Sequence, residues 1–332
     1  MIKRFVFYWF AKLFGLITFM RNRLYDRGIL QSTHFVKPTT LVIGNLAVGG
    51  TGKSPFVSYL VQNWPEKERL GILSRGYGRK STGFRLVESN STASEVGDEP
   101  LAYKQLVPAV TVAVCENRVL GVSQLQSDVD TLFLDDAFQH RAIQGDINLL
   151  CTTYDKPFFT DKLLPLGRLR ESIQGVNRAQ AIIVNRCPAT LNEAKKTAFE
   201  SFGLPVFYTR VTYGTPLGPN GNSIKNWHLV AGIADPLPFF KHAKNLGEIL
   251  NQESYPDHYA FKTADFQYWE YIAKKCQSET GILTTHKDFM RFQERIIDFP
   301  ALATHLYYLP MHIEFVSDEL EFWTWLRQSL KR

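Results

Sequence analysis

Cysteine is sparse and scattered: Cys115, Cys151, Cys187 and Cys276 are the only four in 332 residues, and no two form a C-x-x-C pair. That spacing excludes a paired-cysteine zinc site and provides no disulfide framework, so a reducing cytoplasm is expected. An uninterrupted apolar run long enough to cross a bilayer is also missing. The longest candidate, FVFYWFAKLFGLITFM from Phe5 to Met20, carries Lys12 near its middle. As a helix it covers about 24 Å against a hydrocarbon core of about 30 Å, and a central lysine costs about 2.5 to 3.5 kcal/mol on insertion. Only RNRLYDRG follows Met20, with no small-residue cleavage site, which argues against a signal peptide. Outside the first 27 residues there is almost no net charge. Of the formal +6, Lys3, Arg4, Lys12, Arg21, Arg23 and Arg27 against Asp26 account for +5, leaving the other 305 residues at +1. Nucleic acid is therefore not an expected partner. Neither an internal repeat nor a low-complexity tract is visible.

Aromatic and basic residues are what the first segment does have. Together they suit the headgroup layer of an anionic leaflet, so residues 1–30 are expected to form a helix lying in a membrane interface. A helix packed on the protein's own core is the competing reading. Further along, short apolar runs recur with helical lengths between them: TLVIG at 40–44, RLGILS at 69–74, VTVAVC at 110–115, TLFLDD at 131–136, INLLCT at 147–152, AIIVN at 181–185 and PVFYTRV at 205–211. Several are apolar on both faces, as parallel strands covered by helices are. Glycine, proline and asparagine then gather in YGTPLGPNGNS at 213–223, which marks a hinge. Beyond it, WHLVAGI (227–233), GILTT (281–285) and LYYLP (306–310) predict strands, with helices around 237–250, 265–278 and 316–330.

The stretch AVGGTGKSPF, Ala47 to Phe56, follows the first of these strands. Gly49, Gly50 and Gly52 open backbone angles closed to other residues, so the N–H groups around Thr51 can point into one concavity while Lys53 and Ser54 start a helix. The strict pattern G-x-x-x-x-G-K-[ST] fails by one residue, at Ala47, and the core G-x-G-K-[ST] remains. If Lys53 and Ser54 meet phosphates and a magnesium ion, a second acidic strand end is needed, and TLFLDDAFQH supplies Asp135 and Asp136, followed by Gln139 and His140. The predicted fold class is α/β: a P-loop NTPase-like α/β/α sandwich over 31–215, with a smaller α/β domain over 216–332 closing over the nucleotide cleft. In EVGDEP, Asp98 and Glu99 precede a helix expected to begin near Pro100. They read either as caps, or as the carboxylates that a phosphotransferase needs to take a hydroxyl proton and to order magnesium. Arg75, Arg79, Arg118, Arg168 and Arg170 stand in glycine-flanked or turn settings that suit phosphate oxygens or plain solvent exposure. Asp257 and His258, in YPDHYAF, make either a loop hydrogen bond or a support for a catalytic carboxylate.

Taken in order, GNLAVGGTGKSP, SRGYGR, GDEP, ENR, LDDAFQHR, LLPLGRLRE, VAGIADP, PDHYAF and TTHKDFMR resemble the tetraacyldisaccharide 4'-kinase family of lipid A biosynthesis, from the N-terminal helix to about residue 291. The resemblance implies transfer of the ATP γ-phosphate to the 4'-hydroxyl of a tetraacyldisaccharide 1-phosphate, forming lipid IVA on the cytoplasmic face of an inner membrane, with a monomer expected. It also implies Lys53 and Ser54 as phosphate and magnesium residues, Glu99, Asp135 and Asp136 around the metal, and Asp98 as general base with His258 beside it. Tyr77, Arg118, Arg170 and Glu171, together with Arg75, are implied in substrate or phosphate handling, and Gln139 and His140 in lining the nucleotide pocket. Ser54 stands where the family usually has Thr, and Ala137 where it usually has Gly. Two rivals remain on the residues alone. An ATP-dependent amidoligase of the dethiobiotin synthetase type has no need of the Phe5–Met20 segment. A nucleotide-switch or metal-insertion chaperone should show a Cys/His cluster or an N-K-x-D motif, and neither is present.

Overall fold

A computed structural model describes residues 2–65, 68–219, 224–257, 259–276, 279–316 and 318–331. Its centre is a nine-stranded sheet ordered Met311–Phe315, Val206–Tyr213, Ala181–Asn185, Ile147–Thr153, Thr39–Gly44, Thr131–Asp135, Leu70–Ser74, Thr111–Val114 and Arg85–Leu86. The seven inner strands run parallel and only the two edge strands are antiparallel. Burial explains the sequence pattern: Thr131–Asp135 and Ala181–Asn185 are buried at every position, so both faces must be apolar. Ile43 pairs with Asp135, which sets the glycine-rich loop after Gly44 directly beside the acidic end of the neighbouring strand. Ligands of open parallel sheets bind at this carboxyl edge, where consecutive connections leave in opposite directions.

A second sheet has four parallel strands, ordered Glu248–Ser254, Asn226–Ala231, Thr280–Thr285 and Leu306–Leu309. Trp227, Leu229, Phe239 and Leu283 pack on one side of it, and Val230, Phe266, Trp269 and Phe292 on the other. Two expectations change here. The helix expected over 237–250 ends at Ala243, because the chain turns at Gly247 into the strand Glu248–Ser254, whose alternating exposure is that of a half-buried edge. The domain expected over 216–332 does not keep its C-terminal end either. Met311–Phe315 pairs antiparallel with Val206–Tyr213, and Glu319–Leu330 buries Phe322 and Leu326 in the large core, where Phe322 meets Phe56 edge to face at 5.9 Å. The apolar face of that last helix is covered only against the large sheet.

The helix His286–Ile296 joins the two units, burying Met290 in the large core and Phe292 in the small one. At its first residue, His286 stacks on Tyr308 with ring centroids 4.8 Å apart, and burial pushes its imidazole down to about 4. Since a free histidine titrates near 6.5, protonation favours the unfolded chain, and stability is lost as pH falls from about 6.5 towards 4. Between pH 7.5 and 5 this one group is expected to cost the wild type about 2 kcal/mol that a His286→Phe variant keeps. Urea denaturation of both proteins at the two pH values checks it; parallel losses would rule it out.

The first helix runs from Ile2 to Asp26, longer than the apolar run at its heart, and no helix among the described residues is both long and apolar enough to cross a membrane. It is not a core helix. Trp9, Phe10, Leu13, Leu16, Ile17 and Met20 are each more than half exposed, and on this helix only Ala11 and Thr18 are buried among the residues whose side chains are described.

Candidate active site

The loop between Thr39–Gly44 and the helix Lys53–Gln62 turns on two glycines in the left-handed region, Gly49 at φ 104° and Gly52 at φ 81°. Gly50 does not need that freedom. A Cβ on Gly52 would stand 2.9 Å from the Asn185 side chain, so strain and contact both exclude a larger residue there. Asn185, fully buried at its strand end, donates from Nδ2 to the Thr51 carbonyl at 2.7 Å, and Asn45 donates to the Thr51 hydroxyl at 2.9 Å. Thr51 thus faces inward, and its side chain holds the loop in shape. Ala47 explains the imperfect motif. It bridges Leu169 in an antiparallel pairing, flanked by Val48 N–H to Arg168 O at 2.8 Å and Arg170 N–H to Leu46 O at 2.8 Å, and its φ is not positive, so glycine has no advantage there.

That pairing delivers Arg170 to the acidic strand end. Arg170 Nη1 lies 3.1 Å from both oxygens of Asp136 and 3.2 Å from Gln139 Oε1, and Lys53 Nζ is 3.5 Å from Asp136 Oδ1. Ala137, where the family usually has Gly, does not have a positive φ; the left-handed residue of this turn is Asp136, at 46°, a residue type that tolerates it. The twist turns Asp136 away from its neighbour, so the two carboxylates have different surroundings. Burial pushes the Asp136 carboxyl up, but Lys53 and Arg170 outweigh it and the net direction is down. Asp135 is driven the other way, up to about 7, first by burial and then by Glu99 and Asp136. Its Oδ2 accepts from the Ser74 hydroxyl at 3.3 Å, while Oδ1 is buried and has no hydrogen-bond partner among the described residues. Behind it, burial raises the Tyr103 phenol, with Asp135 and Glu99 adding to the shift.

Three expected ligand contacts are placed differently. Arg118 is 2% exposed and donates to the Cys115 and Asp135 carbonyls at 2.7 and 3.1 Å, so it holds the acidic turn from behind. Glu171 is fully buried and accepts from Gln139, Arg178 and Asn22 at 3.0, 2.7 and 2.7 Å, behind the site wall. Glu99, Asp135 and Asp136 do not close on one point: among the described residues, no group of three His, Cys, Asp or Glu side chains converges as a metal cage. Consecutive strand-end residues diverge, and magnesium in any case keeps waters and phosphate oxygens and uses one or two protein ligands. His140 lies at the site edge, its Nε2 accepting from the Arg118 backbone at 3.4 Å; burial, then Arg118, Arg75 and Arg21, pushes it down to about 4. Arg75 is exposed beside it, and Tyr77 is 68% exposed between Gly76 and Gly78, which both have positive φ.

Asp98 opens the helix Asp98–Leu106, two residues before the expected start, with Gly97 at φ 93° ahead of it. Gly97 is the residue at the cap position, and no side chain caps this helix. Asp98 Oδ1 accepts the N–H of its neighbour Glu99 at 3.2 Å, and Oδ2 accepts from Arg291 Nε at 3.0 Å and Nη2 at 2.5 Å. Arg291 comes from the bridging helix and also donates to Asp288 Oδ1 and the Gly232 carbonyl, at 2.9 and 3.1 Å. Lys287, one turn earlier, lies 3.9 Å from both Asp98 and Glu99 and 3.6 Å from Asp257. Arg291, Lys287 and Asp288 were not picked out from the sequence. They lie within TTHKDFMR, one of the segments that carry the family resemblance, but the i, i+3 and i+4 spacing of its charges is also that of a solvated helix face and assigned them no role. His258 lies outside the described residues.

Comparison with known proteins agrees along the whole length. A family model described as "Tetraacyldisaccharide-1-P 4'-kinase" matches residues 4–331. Curated relatives named tetraacyldisaccharide 4'-kinase include one from Flavobacterium johnsoniae, 40% identical over 97% of this chain and 96% of its own. Another, from Cytophaga hutchinsonii, is 38% identical over 93% and 91%. Among solved structures, the LpxK from Aquifex aeolicus in complex with ATP superposes with a TM-score of 0.76 at 29% identity, covering 97% of each chain. On a family match over residues 4–331 and relatives alike over nearly their whole length, the chain belongs to the tetraacyldisaccharide-1-P 4'-kinase family.

Proposed function

We propose that this protein transfers the γ-phosphate of ATP to the 4'-hydroxyl of a tetraacyldisaccharide 1-phosphate, forming lipid IVA, at the cytoplasmic surface of an inner membrane. One observation carries the reading: the carboxyl edge of the large sheet sets Lys53 and Arg170 on Asp136, while a helix shared with the small unit holds Asp98 at the mouth of the same edge. Phosphoryl transfer needs cations on the migrating group and a carboxylate for the attacking hydroxyl, and this arrangement supports giving those roles to Lys53, Arg170 and Asp98. Asp98 takes the hydroxyl proton, while Lys53, Arg170 and the loop amides neutralise the phosphoryl oxygens as attack proceeds in line. The small unit, residues 226–309, carries Arg291 and Lys287 and closes over the cleft, excluding water that would otherwise hydrolyse ATP.

The buried, unpartnered Oδ1 of Asp135 fits a magnesium ion, with the Ser54 hydroxyl and Glu99 as the other protein groups to hold it. Bound there, the ion would supply charge neutralisation for the phosphates. Exposed apolar side chains along the first helix favour insertion into the headgroup layer, which leaves the acyl chains in the bilayer and presents the sugar to the sheet edge. The test is transfer of radiolabelled γ-phosphate from ATP to tetraacyldisaccharide 1-phosphate in detergent micelles. Labelled lipid is expected; a folded, ATP-binding protein that labels none would return the assignment to the amidoligase or switch readings.

A further inference from the structure

The first helix does more than expose an apolar face, because its last turns are bonded to the segments that build the phosphate site. Asn22 Nδ2 donates to Glu171 Oε2 at 2.7 Å. The other oxygen of Glu171 accepts from Gln139 at 3.0 Å and from Arg178 at 2.7 Å, and Gln139 Oε1 in turn accepts from Arg170 Nη1 at 3.2 Å, the same nitrogen that meets Asp136. The Gln139 amide is fixed at its other end by the Asn45 carbonyl, at the start of the glycine-rich loop. A second tie runs alongside: Arg141 donates to the Asn22 carbonyl and pairs with Asp26, both at 2.8 Å.

We infer that Asn22 is a positioning residue for phosphoryl transfer, acting through Glu171 and Gln139 to orient Arg170, so that seating of the first helix sets the geometry of the phosphate site. The inference rests on the kinase reading. Its physical basis is directional satisfaction. Glu171 is fully buried, and a buried carboxylate holds its neighbours in one arrangement only while its acceptor positions are matched by donors. Remove the Asn22 donor and Oε2 is left unmatched, so the carboxylate tilts about its Arg178 contact and shifts the Gln139 amide against its Asn45 contact. Arg170 then keeps its charge but loses the orientation in which its fork meets a phosphoryl oxygen, and a cation misplaced by an ångström stabilises the transition state far less. The helix that meets the membrane and the arginine that meets the phosphate are thus linked by three hydrogen bonds.

A reciprocal exchange tests this in the full-length protein. Asn22→Asp sets carboxylate against carboxylate. Glu171→Gln removes the charge that Arg178 pairs with and sets N–H against N–H, unless the Asn22 amide turns over and gives up the Arg21 Nη2 contact its oxygen makes at 3.2 Å. Combined, the two changes restore a donor facing an acceptor, because the new amide donates to the new carboxylate and its oxygen still accepts from Gln139 and Arg178. Each single variant is expected to lower kcat for lipid phosphorylation about tenfold, with KM for ATP within about threefold of wild type, and the double variant to recover to within about threefold of wild-type kcat. A contact that only stabilises the fold would lower the urea midpoint of the single variants and leave kcat per folded molecule unchanged, which overturns the inference. So does a folded double variant no faster than the slower single one. Lipid-independent ATP hydrolysis is followed in parallel. If wild type labels no lipid, the kinase reading falls and the relay is judged on hydrolysis, where single variants as fast as wild type sink it.

Discussion

Lys53→Ala is expected to lower the rate of lipid phosphorylation by about 10²- to 10³-fold, the range found when one preorganised transition-state charge partner is removed. In the structure the ammonium lies 3.5 Å from Asp136, next to the Arg170 guanidinium on the same carboxylate, so Asp136 meets two cations before any nucleotide arrives. Both are placed to meet incoming phosphate. Removing Lys53 leaves Arg170 alone on that carboxylate. Lys53→Arg is not expected to restore the rate, because a planar fork cannot occupy the place of a compact ammonium at the start of a helix. Folding should change little, since Asp136 keeps Arg170. Initial rates at saturating ATP and lipid, with urea midpoints as control, decide the matter, and a Lys53→Ala rate within threefold of wild type would remove Lys53 from the mechanism.

Asp98→Asn is expected to cost about 10²- to 10⁴-fold in kcat, the span of general acid–base catalysis. Shape survives this change, and the amide oxygen can still accept from Arg291; the negative charge does not survive. Asp98→Ala should lose as much rate and also destabilise the protein by about 1 to 3 kcal/mol, because Arg291, only 13% exposed, then keeps Asp288 but has no acceptor where the Asp98 side chain stood. The two variants separate chemistry from folding: equal losses of rate with unequal losses of stability place Asp98 in the reaction. If Asp98→Asn retains wild-type turnover in a folded protein, the proton is taken elsewhere. Arg291→Gln is a companion measurement. It leaves the carboxylate in place while removing the side chain that locks Oδ2, so a fall in kcat without loss of ATP binding would show that the small unit positions the base.

The two halves of the site differ in how far the sequence disclosed them. Lys53 and Ser54 were legible because they close a glycine-rich turn into a helix, and Asp135 and Asp136 because they end an apolar strand; in each case the chain itself supplies the neighbour that gives the residue meaning. Arg291, Asn185 and Asn22 were not. Their partners Asp98, Thr51 and Glu171 are 193, 134 and 149 residues away, and arginine or asparagine on a helix or strand end is ordinary in composition. Arg118 and Glu171 were legible as important and misread as to place. Nothing local separates an arginine that meets a ligand from one buried against the Cys115 and Asp135 carbonyls. The same limit applied to the C-terminal end. MHIEF could join either sheet by pattern, and only the covering of Phe322 and Leu326 assigns it to the large one.

By itself, the sequence determined the parallel α/β class, the phosphate loop and its acidic counterpart, and the aromatic, basic first helix, because each is written in contiguous residues whose periodicity or backbone freedom is a local property. Tertiary structure alone decided which carboxylate faces cations and which lies buried with one oxygen unmatched among the described residues, which arginines are exposed and which buried, and how the first helix and the small unit are tied to the edge of the large sheet. Those are matters of burial and of distance between segments far apart in the chain, and neither is a property that any one segment carries.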